Sequence, residues 1–219
     1  MRTFPGRMAD AAEERFDTTM VDEIDLPYPQ YRCPTCATDL PLNEARMTVT
    51  CAEHQAADSR DFTVRSARAG DRHDIEEICD RALGETEIDV FDRTFDVLRG
   101  ENLIAEADGA LIGLLSTAVH GGELVIVLLS VYPEHQGQGV GAALLRAAVD
   151  LARDRGLPAV RVAVSNDDIP LLYFYQRHGF ALYDIALGLL ADRAGAAVAG
   201  FSGIPSRDEV RLRRSVCAA

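Results

Sequence analysis

The segment from residue 131 to residue 142 decides how this chain is interpreted. It reads Val131-Tyr132-Pro133-Glu134-His135-Gln136-Gly137-Gln138-Gly139-Val140-Gly141-Ala142. Before it comes Glu123–Val131, an almost unbroken apolar run that predicts a buried central strand. After it comes Gly139–Arg155, whose apolar residues recur at helical spacing and predict a long amphipathic helix. The segment is therefore a glycine-rich turn between a strand and a helix.

This turn has the properties of an anion-binding loop. Pro133 ends the strand because it has no backbone N–H to donate. Gly137, Gly139 and Gly141 permit a tight turn and keep Cβ atoms away from a ligand. The first N–H groups of a helix lack partners within the helix and carry a partial positive charge. An ordinary glycine-rich turn is the alternative for each feature taken singly, and their combination favours a pyrophosphate site.

Two other classes of phosphate loop do not fit. No Gly-Lys-Ser/Thr follows the glycines, and the chain has no lysine at all, so a nucleotide-hydrolase phosphate loop is excluded. The dinucleotide fingerprint fits poorly, because these glycines lie too close together and the strand before them comes from a hairpin.

Outward from this segment, strands and helices alternate, which is the pattern of an α/β domain over residues 61–216. The predicted strands are 62–65, 103–106, 110–119, 123–131, 159–165, 180–183 and 209–214, and the predicted helices are 71–83, 88–98, 139–155 and 169–178. Residues 1–27 are expected to form a mobile acidic leader. Residues 28–56 are expected to form a separate small module.

Two motifs give the domain a family resemblance. Gln136–Gly141 is similar to the pyrophosphate signature of the GNAT N-acetyltransferase superfamily, Gln/Arg-x-x-Gly-x-Gly/Ala. Asn166–Phe180 is similar to the Asn…Tyr-x-x-x-Gly-Phe helix of the same superfamily. The resemblance implies a twisted mixed sheet flanked by helices. It also implies that two central parallel strands splay apart and hold coenzyme A in the gap.

The resemblance also assigns residues to the cofactor. The pantetheine arm would pair as a pseudo-strand with free backbone groups of the central strand, and the pyrophosphate would lie on the loop amides. The candidate acetyl-CoA contacts are Leu129, Ser130, Val131, Gln136, Gly137, Gln138, Gly139, Val140, Gly141, Ala142 and Asn166. For Asn166, an Asx turn that caps the next helix is an equal alternative.

Two residues are candidates for the chemistry. Tyr175 lies where the family has its catalytic tyrosine and can protonate a leaving thiolate, although it also suits an aromatic core. The position at which family members carry a glutamate base is Val125 here. Glu123, two residues earlier on the same strand face, is the nearest candidate, and an ordinary strand-end carboxylate is its alternative. His120 and Glu134 are weaker candidates for the base.

A separate motif precedes the α/β domain. Cys33, Cys36, Cys51 and His54 have the C-x2-C…C-x2-H spacing of a small zinc ribbon. Four protein ligands predict a structural Zn²⁺ site, and a segment this short needs the metal in order to fold. Of the remaining cysteines, Cys79 is expected to be packed in the core. No function is assigned to Cys217.

Charge narrows the range of partners. The formal net charge is -13, from 35 acidic residues and 22 arginines. Residues 28–60 carry three arginines against four carboxylates, so a nucleic-acid role for the zinc module is not expected. No membrane segment is expected, and the clustered cysteines favour a cytoplasmic protein.

The sequence therefore predicts an acyl-CoA-dependent N-acyltransferase. The most favoured reaction is direct transfer of an acetyl group from acetyl-CoA to a primary amine in a ternary complex, and the amine is expected to be cationic. The alternatives are an acyl-CoA sensor without catalysis and an adaptor that acts through the zinc module. A protein partner or a homodimer is left open.

Overall fold

The computed structural model describes residues 62–196, 198–200 and 203–216. The predicted leader and zinc module lie outside these residues. The described strands are β1 (Phe62–Ser66), β2 (Glu87–Val90), β3 (Arg93–Asp96), β4 (Glu101–Ala107), β5 (Ala110–His120), β6 (Glu123–Val131), β7 (Ala159–Ser165), β8 (Ala181–Ala186), β9 (Val198–Ala199), β10 (Pro205–Ser206) and β11 (Glu209–Ser215). The described helices are α1 (Arg72–Leu83), α2 (Val140–Asp154), α3 (Ile169–Arg177) and α4 (Leu189–Ala194).

One mixed sheet forms the centre of the domain. Its strands lie in the order β1-β4-β5-β6-β7-β11-β8. The β6–β7 pair is parallel, and the other neighbours in this sheet are antiparallel. The predicted mixed sheet with central parallel strands is therefore confirmed.

The central strands of the sheet are buried on both faces, whereas the edge strand β8 is exposed. On one face, α2 buries the apolar stripe that predicted it, and Leu144, Leu145 and Ala148 join the same core as Leu124 and Ile126 of β6. The opposite face is covered by α1 and by the β2–β3 hairpin, in a second core that contains Val125 and Val127 of β6. Alternate residues of β6 thus belong to different cores, as the period of two in a strand requires.

The predicted helix over residues 88–98 is wrong. The structure has the β2–β3 hairpin there, with Ile88 opposite Phe95 and a two-residue turn at Phe91 and Asp92. Residues 87–90 alternate polar and apolar and include β-branched Ile88 and Val90, which suits a strand whose one face is buried. Packing of that face against the sheet decides between the two conformations.

The segment between β8 and β11, for which the sequence predicted no strand or helix, contains α4 and the short β9–β10 pair. None of the described helices is long and apolar enough to cross a membrane.

Candidate functional site

The parallel strands β6 and β7 separate toward their carboxyl ends. They pair over three positions, the last of which joins Ile126 and Val162. Beyond this point, β6 stays paired with β5 as far as Val131, and β7 stays paired with β11 as far as Ser165. The two facing edges are therefore unpaired with each other, and a ligand that carries amide groups can pair with such an edge.

A β-bulge lies where the separation starts. In the β5–β6 pairing, Ser116 is opposite Leu128 and Thr117 is opposite Ile126, so Val127 is an extra residue in β6. A bulge of this kind bends its strand and increases the local twist. The bend gives the splay a local structural cause.

The turn between β6 and α2 presents free backbone donors. Gly137 and Gly139 have φ angles of 72° and 83°, which only glycine adopts without strain. Gly139 is the residue before the helix, and no described side chain caps this end. The bond from Ala143 N to Gly139 O, at 2.9 Å, belongs to the first turn of α2. The N–H groups of 140–142 come before it and have no acceptor within the helix.

The loop is exposed to a ligand, and two of its own side chains hold its backbone in place. Gly137 and Gly139 are exposed, and a Cβ atom at Gly139 would have no neighbour within 4 Å. Gln136 Nε2 donates to Val131 O at 2.9 Å, and Gln138 Nε2 donates to Glu134 O at 2.6 Å. The two glutamine side chains thus hold the loop to its own backbone.

Gly141 has a different role from the one its motif suggested. It lies inside α2 rather than in the turn, and its φ is not positive. A Cβ atom there would lie 3.6 Å from the ring of Phe174 in α3 and 3.9 Å from Val131 Cγ2. Glycine at this position keeps the space between α2, α3 and the end of β6 clear.

Asn166 makes contacts that the sequence did not predict. Its Oδ1 accepts from Arg207 N and Asp208 N, both at 2.9 Å, and its Nδ2 donates to Pro205 O at 3.0 Å. The side chain therefore ties the end of β7 to the segment before β11. The capping role belongs to Asp168, whose Oδ1 accepts from Leu171 N.

Tyr175 lies in α3 with its ring in the core on the α2 face. Its exposed fraction is 2%, and its ring meets those of Phe174 and Phe180 edge to face, with centroids 5.3 and 5.4 Å away. Burial, and to a lesser extent the charge of Asp168, raises the pKa of the Tyr175 phenol. The hydroxyl group therefore keeps its proton at neutral pH, so it can act as a donor and not as a base.

Glu123 lies at the first residue of β6, at the end of the strand away from the splay. Its Oε2 lies 2.9 Å from Arg161 Nε, and its Oε1 accepts from Arg213 Nε and Nη2 at 2.9 and 2.7 Å. Val125, at the family's usual position for the base, is fully buried. A general base needs a carboxylate oxygen that faces the substrate, and both oxygens of Glu123 face guanidinium groups.

We therefore expect Glu123→Gln to affect stability more than catalysis. The substitution removes the charge that partners two arginines, one of which, Arg161, is largely buried. The free energy of unfolding should fall by roughly 1–3 kcal/mol. Denaturant unfolding and steady-state kinetics check this together. A kcat that fell more than about tenfold, at an unchanged unfolding midpoint, would restore Glu123 as the base.

Comparison with known proteins shows which family has this geometry. The model of the Acetyltransferase (GNAT) family matches residues 72–180, which contain the splay, the loop, α2 and α3. This part of the chain belongs to the GNAT family. The GNAT domain also resembles solved structures of the family. A GNAT family acetyltransferase from Elizabethkingia anophelis, with acetyl-CoA bound, covers 71% of this chain and 99% of that one, with a TM-score of 0.56 at 22% identity. Nourseothricin acetyltransferase covers 72% and 100%, with a TM-score of 0.54 at 26% identity.

Curated relatives match over shorter spans. A mycothiol acetyltransferase from Clavibacter sepedonicus is 31% identical over 153 residues, which are 69% of this chain and 49% of that protein. A streptothricin acetyltransferase from Streptomyces lavendulae is 39% identical over 77 residues, which are 34% of this chain and 41% of that protein. This chain thus spans at most about half the length of either relative.

The predicted zinc ligands lie outside the described residues. Within the described ranges, no three histidine, cysteine or acidic side chains gather in a group that could hold a metal ion. Cys79, on the buried face of α1, lies in the core, and burial raises the pKa of its thiol to about 11. A thiol in this environment is packed and unreactive, as its position on an apolar helical face predicted.

The structure adds a buried charged group that motif reading missed. Glu209, at the start of β11, is 2% exposed and lies opposite Ser165 at the splayed end of β7. A signal was present in the sequence, since Glu209, Arg211 and Arg213 alternate along a predicted strand and must share one face.

Proposed function

We propose that the GNAT domain transfers an acetyl group from acetyl-CoA to a primary amine. The observation that carries this proposal is the pairing of an open, amide-lined helix start with a parallel strand pair that splays directly beside it. A diphosphate suits the first feature and a pantetheine amide chain suits the second. The relatives support it, because each is named as an acetyltransferase.

Residues at different positions have different roles in the proposed reaction. The N–H groups of residues 140–142 bind the pyrophosphate, and the free edge of β6 around 129–131 holds the pantetheine arm. When bound, acetyl-CoA supplies the activated acyl group. The amine, after losing a proton to solvent, attacks the thioester carbon, and an N–H on that same edge stabilises the negative charge on the thioester oxygen. As the C–S bond breaks, the protonated phenol of Tyr175 donates to the departing sulfur, and the second proton lost by the nitrogen restores the phenol. Cys79, the cysteine among the described residues, is too buried to carry an acyl group, which favours direct attack by the amine.

The acceptor is proposed to be a cationic primary amine. The net charge of -13 attracts cations toward the protein, and this attraction is long-ranged at low ionic strength. The names of the relatives point to acceptors of different chemistry, mycothiol-related in one and streptothricin in the other. A panel must therefore include slender polyamines, streptothricin and other bulky antibiotic amines, and amino-terminal peptides.

The test is release of the free CoA thiol by the full chain, with acetyl-CoA and each amine of the panel. We expect at least one amine to raise the rate of release well above the rate without amine. Mass spectrometry should show an increase of one acetyl group on the amine.

A sensor without catalysis is the alternative that one observation favours. Val125 is buried at the usual base position, and Glu123 is held by two arginines. Calorimetric binding of acetyl-CoA, with no amine-dependent release across the panel, would favour this alternative over the enzyme.

We also propose a structural zinc ion on Cys33, Cys36, Cys51 and His54, from their spacing alone. The full chain, dialysed and analysed by plasma mass spectrometry, should contain about one zinc per chain. Cys33→Ser should lose most of it, because three ligands hold zinc far more weakly than four. Cys217→Ser is the matched control and should keep it. Retention of zinc by Cys33→Ser would contradict this ligand set. A cytoplasmic location, and a protein partner or homodimer, stay predictions.

A further inference from the structure

The tip of the β2–β3 hairpin lies on the face of the sheet opposite α2. Phe91, at the tip, is buried in the same core as Val127, the bulged residue of β6. Ala163 packs against this core and is the first residue of β7 beyond the last β6–β7 pair. The hairpin tip therefore belongs to the core that lies at the level where the two strands begin to separate.

Side chains of β11 hold this tip in place. Phe91 N donates to Glu209 Oε2 at 3.3 Å, and Glu209 Oε1 accepts from Arg211 Nε at 2.7 Å. Arg211 in turn forms ion pairs with Asp92 at 2.8 Å and with Asp184 at 3.0 Å. The Glu209 side chain is 3% exposed and that of Arg211 is 16% exposed, so the ion pair between them is shielded from water, whereas Asp92 is 63% exposed at its outer end. We call Glu209, Arg211 and Asp92 the hairpin latch.

The conformation of the tip needs such support. Phe91 and Asp92 have φ angles of 53° and 58°, the left-handed region, which glycine or asparagine usually occupies in a two-residue hairpin turn. The guanidinium carbon of Arg161 lies 4.9 Å from the centre of the Phe91 ring, and that of Arg211 lies 5.5 Å from it. Cation–π contacts of this kind hold the ring in one orientation.

The two faces of the sheet differ at the level of the splay. A thioester held in the splay has α2 and the anion loop on one face of the sheet. The other face at the same level carries the β2–β3 hairpin. We propose that Phe91 forms a wall of the amine-acceptor site and that Glu209 is the positioning residue that holds this wall. This inference rests on the proposed acetyl transfer and adds to it the residues that select the amine.

The test compares variants of the full chain with the amine that gives the highest turnover in the panel. Phe91→Ala should raise the KM for the amine at least about tenfold, equivalent to about 1.4 kcal/mol of binding, and change kcat less than about threefold. The calorimetric Kd for acetyl-CoA should be unchanged. Phe95→Ala is the matched control. Phe95 lies in the same hairpin, but its ring contacts that of His120, at the end of β5 that is away from the splay. It should leave both KM values close to wild type.

Glu209 is tested by truncation and by a conservative change. Glu209→Ala removes the acceptor for Phe91 N and should reproduce the rise in amine KM. Glu209→Gln keeps one carbonyl oxygen for that N–H and should recover a large part of the loss. Hydrogen exchange of the 87–96 peptide should be faster in Glu209→Ala than in wild type, with the exchange of α2 unchanged.

The possible failures are distinct. If the wild type acetylates no amine, the proposed function is wrong, and the proposed role of Phe91 is wrong with it. If wild type is active but Phe91→Ala and Glu209→Ala keep the wild-type amine KM, the wall is wrong and the proposed function stands. An equal rise in amine KM in Phe95→Ala would also overturn the wall, because the effect would then belong to the hairpin as a whole.

Discussion

Gly139→Glu should abolish binding of acetyl-CoA at concentrations that saturate the wild type. The new carboxylate would lie at the start of α2, beside the N–H groups that are expected to hold the pyrophosphate. Two like charges about 4 Å apart repel by roughly 4 kcal/mol at an effective dielectric constant of 20. Affinity should therefore fall by a factor of about 100 or more, measured by isothermal titration calorimetry.

Two further variants separate charge from backbone strain. Gly109→Glu places the same side chain at a φ of 78°, close to the 83° of Gly139, and also has open space around its Cβ. Gly109 lies in the β4–β5 turn, so this variant should bind acetyl-CoA like the wild type. Gly139→Ala carries the left-handed strain without the charge and should lose much less affinity than Gly139→Glu. Wild-type affinity in Gly139→Glu would refute the loop assignment.

Tyr175→Phe should lower kcat by about 100-fold, the effect of removing a positioned proton donor. It should leave the Kd for acetyl-CoA nearly unchanged. The aromatic ring stays in the core, and no hydrogen bond joins the Tyr175 hydroxyl to another described residue, so the fold should lose little stability. Stopped-flow turnover and calorimetry on the same preparations separate the two effects.

Tyr173→Phe is the matched control. Tyr173 lies two residues earlier in α3 and is 42% exposed, so loss of its hydroxyl should change neither kcat nor affinity. Because burial raises the pKa of Tyr175, this phenol stays protonated up to and above its ordinary pKa of about 10. The wild-type rate should therefore show no loss from ionisation of Tyr175 below that pH. Full activity in Tyr175→Phe would remove the residue from the mechanism.

The segment 131–142 allowed the centre of the site to be predicted, because its signals are local. Proline at a strand end and glycine at a left-handed φ act through their own backbone geometry. The start of α2, the positive φ angles of Gly137 and Gly139 and the free N–H groups after them all follow from neighbours in the chain. The splay of β6 from β7 came from the family resemblance, and the bulge at Val127 shows its structural basis.

Residues whose partners are distant in sequence were beyond prediction of this kind. Asn166 binds backbone groups about forty positions away, and Glu123 pairs with an arginine of β11, 90 positions away. The interpretation of 88–98 as a helix failed for the same reason. The alternating pattern of these residues is short, and their burial against β6 and β7 is what favours a strand over a helix.

The sequence by itself determined that a strand, a glycine turn and the start of a helix follow one another in an α/β domain and leave backbone N–H groups without partners in the helix. It did so because backbone conformation and unpaired helix amides depend on residues within a few positions. Only the tertiary structure decided which charged side chains form ion pairs. It also decided which element covers the sheet on the face opposite α2, at the level of the splay. Those choices depend on contacts between strands and hairpins far apart in the chain, and their free energy appears only when the sheet is assembled.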